Sequence, residues 1–401
     1  MTPVKLLLIL SLFSIIPGQI IRIPLSASGA LTISDIIVSA TLTVGVFYLL
    51  TFKKSLKLDL PIFIPALVFS LVAAASTTLA LDSFSAGEVA VSSMFLARFI
   101  AYFAISQIVP NLIKKEEVTG WLRVLLVVGT GFALLGFGQI MIFPNLSFLA
   151  AYGWDPHEAR LTSTFLDPNF AGGLMTLFFA LSLSFFASEK KALYLLFSVV
   201  AFAAIILTFS RSSYLAAASV LIVIGVLKSK KVLVTFLILF MSSFLLLAQV
   251  RDRIAGALAF DETSKARVES WQRAAKVAAE NPVLGVGFNT YRFAQAKAGF
   301  FSFDNPQGGH SGGGSDSSIL LVAATTGIIG LIAYLILLLK IMFAFLKKAR
   351  ESALHLGALS ALVGLVLHSQ FVNSLFFPQI MLPFWFIVGL VSVKSQAKTN
   401  D

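Results

Sequence analysis

Long apolar runs recur along almost the whole chain, and they restrict its fold more than any other feature. A helix needs about 20 apolar residues to cross the hydrocarbon core of a bilayer. Twelve runs come close to this length, near 4–21, 33–52, 59–81, 89–110, 121–143, 164–187, 192–209, 212–227, 232–249, 318–346, 353–372 and 376–393. With 12% charged residues and a mean hydropathy of +0.92, the composition is not typical of a soluble domain. The sequence predicts an all-α polytopic membrane protein with about 12 transmembrane helices.

The connectors between these runs alternate in charge. Lysine-rich connectors follow every second run: KKSLK at 53–57, KK at 114–115, EKK at 189–191, KSKK at 228–231, KKAR at 347–350 and the tail KSQAK. Because Lys and Arg accumulate in cytoplasmic loops, we expect both termini in the cytoplasm and interpret the net charge of +11 largely as an orientation signal, with no nucleic-acid partner. The outer face then carries the loop 143–163, the hairpin TFSRSS at 208–213 and the large extracytoplasmic loop 250–317.

The large loop contains a helical pattern, DETSKARVESWQRAAKVAAENP. Capping residues around Thr263 and Ser264 precede it, and it ends before Pro282. Its apolar residues recur at spacings of three and four, at Val268, Trp271, Ala275 and Ala278. This pattern predicts an amphipathic helix of about 16 residues near the membrane surface.

Three arginines lie on the outer side, where the charge rule disfavours them: Arg160, Arg211 and Arg267. A guanidinium stays charged and presents a planar fork that suits phosphate or pyrophosphate. The alternative is that each contacts lipid headgroups or pairs with a carboxylate such as Asp167. Three on one face favour an anion site.

Arg98 lies within an apolar helix, where a charge is expensive and marks a functional candidate. A structural ion pair with Asp82 or Glu88 is the alternative interpretation.

The polar run GGHSGGGSDSSILL at 308–321 offers two proton acceptors, His310 and Asp316. The alternatives are a solvated loop histidine and an aspartate that caps the helix starting at Ser317. For His368, within an apolar run, a hydrogen-bonded core histidine is the favoured interpretation. The chain has no cysteine, which excludes thiolate nucleophiles and cysteine metal sites.

Four motifs occur together in order: RLTSTFLDPNFAG, LTFSRSSYLA, RVESW followed by ENPVLGVGFNTY, and a polar loop that runs into ILLVAATTGIIGL. This combination, across residues 158–335, resembles the O-antigen ligase and O-antigen polymerase superfamily of bacterial membrane glycosyltransferases. It leaves residues 1–157 as N-terminal transmembrane helices, and 336–401 as C-terminal helices with a cytoplasmic tail.

The resemblance implies a lipid-linked-sugar glycosyltransferase (GT-C-like) architecture in the bacterial cytoplasmic (inner) membrane. It also implies transfer of a glycan from a polyprenyl (undecaprenyl) pyrophosphate carrier to an acceptor hydroxyl on the outer face, in assembly of surface polysaccharide such as lipopolysaccharide. The partners would be the lipid-linked donor, a glycan or lipid-linked sugar acceptor, and membrane lipids. Neither a metal nor another cofactor is implied, because arginines can stabilise the pyrophosphate leaving group.

The resemblance also assigns roles to residues. It implies that Arg160, Arg211 and Arg267 bind the pyrophosphate. We expect Asn169 and Arg98 as supporting residues. A ligase's catalytic histidine lies eleven residues before the closing glycine, and that position here, counted from Gly327, is Asp316. His310 lies six residues earlier, so the base is either residue, and the polymerase remains an alternative to the ligase. A transporter of polysaccharide lipids is a third hypothesis.

Overall fold

A computed structural model describes residues 2–26, 29–53, 56–300, 302–303 and 313–396. Fifteen α-helices lie within these residues. They are α1 (Pro3–Phe13), α2 (Ile33–Tyr48), α3 (Leu60–Leu79), α4 (Ala86–Leu112), α5 (Val118–Ile142), α6 (Pro168–Glu189), α7 (Ala192–Leu207), α8 (Arg211–Leu227), α9 (Lys230–Leu246), α10 (Ala248–Leu258), α11 (Glu262–Glu280), α12 (Tyr291–Lys297), α13 (Ser318–Leu346), α14 (Ala353–His368) and α15 (Pro378–Gln396). One short antiparallel hairpin, β1 (Arg22–Ser26) with β2 (Gly29–Thr32), was not predicted.

The prediction of an all-helical membrane protein is confirmed in its broad form. Each of the twelve apolar runs falls on a helix. Within the described residues, six helices are long and apolar enough to cross a membrane, and α9 with α10 makes a seventh if that bent pair is one span. Five shorter apolar helices accompany them. The count of twelve spans stays a prediction.

Helix α6 forms the centre of the core, where it packs against α7, α8 and α14. It begins at Pro168, later than the apolar run suggested, because Asp167 accepts hydrogen bonds from the backbone N–H groups of Asn169 (2.6 Å) and Phe170 (3.1 Å). The absence of a side chain at Gly172 lets Ser213 of α8 lie against the α6 backbone. The N-terminal end of α6 is therefore held beside the hairpin that joins α7 and α8.

Helix α13 is broken at Gly327, where φ is 61° and ψ is −165°. This backbone conformation is accessible essentially only to glycine. The break frees the carbonyls of Ala324 and Thr325, which accept hydrogen bonds from Val286 N (3.0 Å) and Gly287 N (3.1 Å). The ENPVLGVG segment is thereby fixed against the ATTGIIG segment, and the end of α11 is anchored to the membrane helices.

The amphipathic helix is confirmed, but its cap and its buried face differ from the prediction. Helix α11 begins at Glu262, and the cap is Asp261, whose carboxylate accepts from Ser264 N at 3.0 Å. Ala275 is exposed, whereas Ala274 and Val277 are buried. The shift in register turns Ser270 and Arg267, one and two turns before Ala274, towards the protein.

Two local assignments were wrong. The cap of α13 is Ser317, which accepts from Leu320 N at 3.2 Å, so Asp316 is not a cap and its carboxylate is available for other contacts. The partner of Arg98 is Asp35, and not Asp82 or Glu88. A pairing across 63 residues leaves no local signal in the sequence.

Candidate functional site

The loop that carries Arg160 is tied to the hairpin between α7 and α8. The Arg160 Nε donates to the carbonyl of Thr208 at 2.9 Å and Nη2 to that of Phe209 at 3.3 Å. Burial lowers the pKa of Arg160 to about 9, and the positive charge of Arg253 acts in the same direction. Arg160 therefore remains a cation at neutral pH, and further positive charge lies close to it.

Arg211 is the first residue of α8, and it joins the hairpin to α11. Its Nη2 lies 2.5 Å from Asp261 Oδ2 and its Nη1 lies 3.1 Å from Oδ1, while Nη1 also donates to the hydroxyl of Ser264 at 2.9 Å. Burial would raise the pKa of Asp261, but the hydrogen bonds from Arg211 and Ser264 outweigh this effect and lower it to about 2. The pair is ionised across the neutral range.

Arg267 lies on the inner face of α11, with its guanidinium 6.0 Å from the centre of the Phe371 ring. Burial lowers its pKa, the carboxylate of Asp316 opposes this effect, and Arg211 adds to it. Among the described residues, Arg267 makes neither a hydrogen bond nor an ion pair with another side chain. A half-buried guanidinium whose hydrogen-bond donors are not used by other side chains is suited to an anionic ligand.

Sequence reasoning missed a fourth arginine, Arg253 of α10. Helix α10 bends by 94° from α9, and this bend places Arg253 where its charge acts on Arg160, His157 and Arg267. Like Arg267, it has no hydrogen-bond or ion-pair partner in the described parts of the chain. The charge rule that singled out the other arginines would also have selected Arg253, since it lies in the segment 250–317 that the rule predicts to be on the outer side.

Asp316 lies at the mouth of α13 beside Arg267. Its backbone N–H donates to Ser270 Oγ at 3.1 Å. Burial raises the pKa of Asp316, while the charge of Arg267 and a hydrogen bond from Ser270 lower it in part. Asp167 also raises it, so both carboxylates lie within electrostatic range of each other. A carboxylate with a raised pKa is a better proton acceptor than an ordinary one.

Polar side chains at the start of α6, at the start of α8 and at the end of α14 contact one another. The hydroxyl of Ser210 donates to Asn169 Oδ1 at 2.8 Å and lies 3.0 Å from that of Ser212. His368 is fully buried, with Nε2 3.3 Å from Ser212 Oγ and 3.4 Å from Ser213 Oγ. These contacts fit the interpretation of His368 as a hydrogen-bonded core histidine, and they hold Asn169 next to the arginines.

A second polar group lies on the loop before Arg160. One ligand atom from each of Asp155, His157 and Asp167 lies within 4.8 Å of the others. Burial lowers the pKa of His157 to about 4, Asp167 opposes this effect, and Arg160 and Arg253 add to it, so the imidazole is neutral at pH 7. By residue type this group could hold a divalent cation, although the neighbouring arginines disfavour one.

One predicted residue, Arg98, is not part of this arrangement. Arg98 lies in a separate group, in which Nε and Nη2 bind Asp35 at 2.8 Å each and Nη2 donates to the carbonyl of Ala30 at 2.7 Å. His310 lies outside the described residues. The predicted arginines Arg160, Arg211 and Arg267 are brought together, and Asp316 joins them.

Residues 196–335 match the O-antigen ligase family. This match, over about a third of the chain, supports membership of the O-antigen ligase superfamily. This result confirms the resemblance seen in the motifs. No curated protein matches the chain. Together with the apolar helices, the O-antigen ligase match indicates a bacterial membrane protein of the glycosyltransferase-like O-antigen ligase type.

The O-antigen ligase domain supplies most of the charged groups of the site. Arg211, Arg253, Arg267 and Asp316 lie within the matched range. Arg160, His157, Asp167 and Asn169 precede it, although the resemblance had been traced from residue 158. The site is therefore completed by a loop and a helix start outside the matched range.

Proposed function

We propose that the chain is a membrane glycosyltransferase that moves a glycan from a polyprenyl (undecaprenyl) pyrophosphate to an acceptor hydroxyl. One observation carries the proposal: two arginines without a side-chain partner among the described residues, Arg253 and Arg267, converge on a site that also holds the half-buried carboxylate of Asp316. Such a site offers both an anion-binding region and a proton acceptor, which are the two groups that this reaction requires.

The arginines would bind the pyrophosphate of the donor. Arg253 and Arg267 have their full set of donors available, whereas Arg160 uses Nε and Nη2 on backbone carbonyls. Arg211 would mainly hold α11 in place, because its terminal nitrogens are bonded to Asp261 and Ser264. Fixed guanidinium groups in a partly buried site stabilise the charge that develops on a leaving pyrophosphate. We therefore propose a reaction without a metal ion.

Asp316 would act as the general base. Its carboxylate takes the proton of the acceptor hydroxyl as the oxygen attacks the anomeric carbon. The bond from that carbon to the pyrophosphate oxygen breaks, and the electron pair leaves with the pyrophosphate. A single displacement inverts the anomeric configuration. His310 remains the alternative base.

We further propose the predicted topology: twelve transmembrane spans of a GT-C-like protein, with both termini in the cytoplasm and the site on the outer face of the inner membrane. The charge pattern of the connectors supports this orientation. The bent pair α9–α10 and the five shorter apolar helices would account for the spans beyond the six longest helices.

A polysaccharide polymerase of the same superfamily is the second candidate. The observation in its favour is Asp316, which occupies the position that the resemblance assigns to the histidine of ligases and lies beside Arg267. In a polymerase the acceptor is another carrier-linked repeat unit. Acceptor profiling separates the two, since a polymerase gives a ladder of products from the donor alone and a ligase needs a second acceptor.

The test is glycan transfer by the purified protein in proteoliposomes. Lipid-linked glycan extracted from the producing cells is the donor, and covalent transfer is measured. Wild type is expected to transfer, and Arg267→Ala and Asp316→Asn to lose most of the rate. Movement of the lipid across the bilayer without covalent transfer would instead support the transporter hypothesis.

A further inference from the structure

The group Asp155, His157 and Asp167 lies beside the arginine site, yet neither pyrophosphate binding nor the base uses it. The loop that carries it is rigidly held: the N–H of Leu146 donates to the carbonyl of His157 at 2.9 Å, and that of Ala159 to the carbonyl of Pro144 at 2.7 Å. Rigid placement of polar side chains on a loop is typical of a binding site.

The side chains of His157 and Asp167 offer hydrogen-bond acceptors that the described protein does not fill. The Nε2 atom of His157 is buried and makes no hydrogen bond within the described residues. Asp167 caps α6 with Oδ1 alone, and in the same residues its Oδ2 accepts no hydrogen bond. A buried polar atom without a partner costs free energy, so it calls for a ligand or a water.

Charge decides between a cation and a neutral ligand. Arg160 lies three residues after His157, and the charges of Arg160 and Arg253 both lower the pKa of His157. The same positive field opposes a divalent cation, whereas it does not oppose the hydroxyl groups of a sugar. Carboxylates and a neutral imidazole nitrogen accept hydrogen bonds from hydroxyls.

We propose that Asp155, His157 and Asp167 form a subsite for a sugar of the donor glycan, which they recognise through hydrogen bonds to its hydroxyl groups. This inference rests on the proposed function, since the sugar is placed here by its bond to a pyrophosphate on the neighbouring arginines. A subsite built to accept hydrogen bonds from hydroxyls rejects analogues that lack them, because its buried acceptors are left unpaired.

The experiment compares two lipids that differ only in the glycan. Binding of sugar-free polyprenyl diphosphate and of the glycan-bearing lipid from the producing cells is measured for wild type and His157→Ala. We expect His157→Ala to bind the glycan-bearing lipid about tenfold more weakly, the effect of one lost hydrogen bond, and the sugar-free lipid within about twofold of wild type. Asp252→Asn, which removes an exposed carboxylate of α10, is the matched control and should change neither affinity.

Three results would overturn the subsite. Equal weakening for both lipids would mean that the group supports the pyrophosphate region or the loop. Unchanged affinity for both would mean that no sugar contacts it. Mn²⁺ binding to wild type, seen by electron paramagnetic resonance and lost in His157→Ala, would make the group a cation site.

The failure of the proposed function is a separate result. If wild type does not bind the sugar-free lipid, or if Arg267→Ala leaves that affinity unchanged, the arginine site is wrong whatever the His157 variants do.

Discussion

Arg211 and Asp261 form a two-point ion pair, with Nη2–Oδ2 at 2.5 Å and Nη1–Oδ1 at 3.1 Å. Asp261 is also the cap of α11, so one carboxylate both starts this helix and fixes it to α8. The arginines of the site therefore have different roles: Arg211 holds α11 in place, and Arg253 and Arg267 remain available for a ligand.

Arg253 is expected to contact the pyrophosphate directly. Arg253→Ala should weaken binding of polyprenyl diphosphate about 10- to 100-fold, the effect of losing a hydrogen bond to a charged group. Arg251→Ala is the matched control, because Arg251 is exposed on the same helix two residues away. Equal effects of the two substitutions would reduce the role of Arg253 to general electrostatic attraction.

The Arg211–Asp261 pair should stabilise the fold in a pH-dependent way. The pKa of Asp261 falls from its ordinary value of 3.8 to about 2, so the stabilisation is present above pH 4 and is lost as the pH falls from 4 to 2. Asp261→Asn should lower the Tm at pH 7 and flatten its dependence on pH between 4 and 2. The effect is modest, since the Asp261 side chain is 34% exposed.

The control for this prediction is Glu262→Gln. Glu262 is the next residue, and its side chain is 89% exposed in an ion pair with Lys265. A Tm loss at pH 7 as large as that of Asp261→Asn would show that any charge removed from the start of α11 has the same effect.

The pH dependence of transfer should identify the base. Burial raises the pKa of Asp316 above its ordinary value of 3.8, so activity should rise as this carboxyl ionises and then level off. Asp316→Asn should abolish the rise together with most of the activity. A rise near pH 6.5 that disappears in His310→Ala would assign the base to His310 instead.

Gly327 should tolerate no side chain. At its φ of 61° and ψ of −165° another residue is strained by about 1–3 kcal/mol, and a Cβ would overlap the carbonyl of Val283. Gly327→Ala should lower the Tm and the transfer rate together, because Val286 and Gly287 lose their hydrogen bonds to the backbone of α13. Gly138→Ala in α5 is the control, since a Cβ there meets no atom within 4 Å and the Tm should stay or rise. Equal Tm values for both variants would contradict this explanation.

The sequence was sufficient for features that depend on local pattern. The apolar runs predicted the helices, and the charge rule selected Arg160, Arg211 and Arg267, which the fold brings together from three separate segments. It was insufficient where distant segments decide the outcome. The pairing of Arg98 with Asp35 joins residues far apart in the chain, and so does the hydrogen bond from Val286 N–H to the carbonyl of Ala324 in the broken helix α13.

Cap positions and helix register were the other limit. Asp261 and Ser264 are both competent to cap α11, and Ser317 caps α13 beside the equally competent Asp316. On α11, the structure buries Ala274 and exposes Ala275, a shift of one residue from the predicted apolar stripe. The position of Arg253 needed the 94° bend between α9 and α10, which no proline or glycine marks in the sequence.

In the proposed reaction, Arg253 and Arg267 bind the lipid pyrophosphate, and Asp316 activates the acceptor hydroxyl that receives the glycan. The most direct measurement is transfer by the purified protein in proteoliposomes, with wild type, Arg267→Ala and Asp316→Asn compared at equal amounts of folded protein. We predict covalent transfer by wild type, weakened donor binding in Arg267→Ala, and nearly unchanged donor binding with little transfer in Asp316→Asn. Transfer at the wild-type rate by both variants would contradict the proposed roles of Arg267 and Asp316.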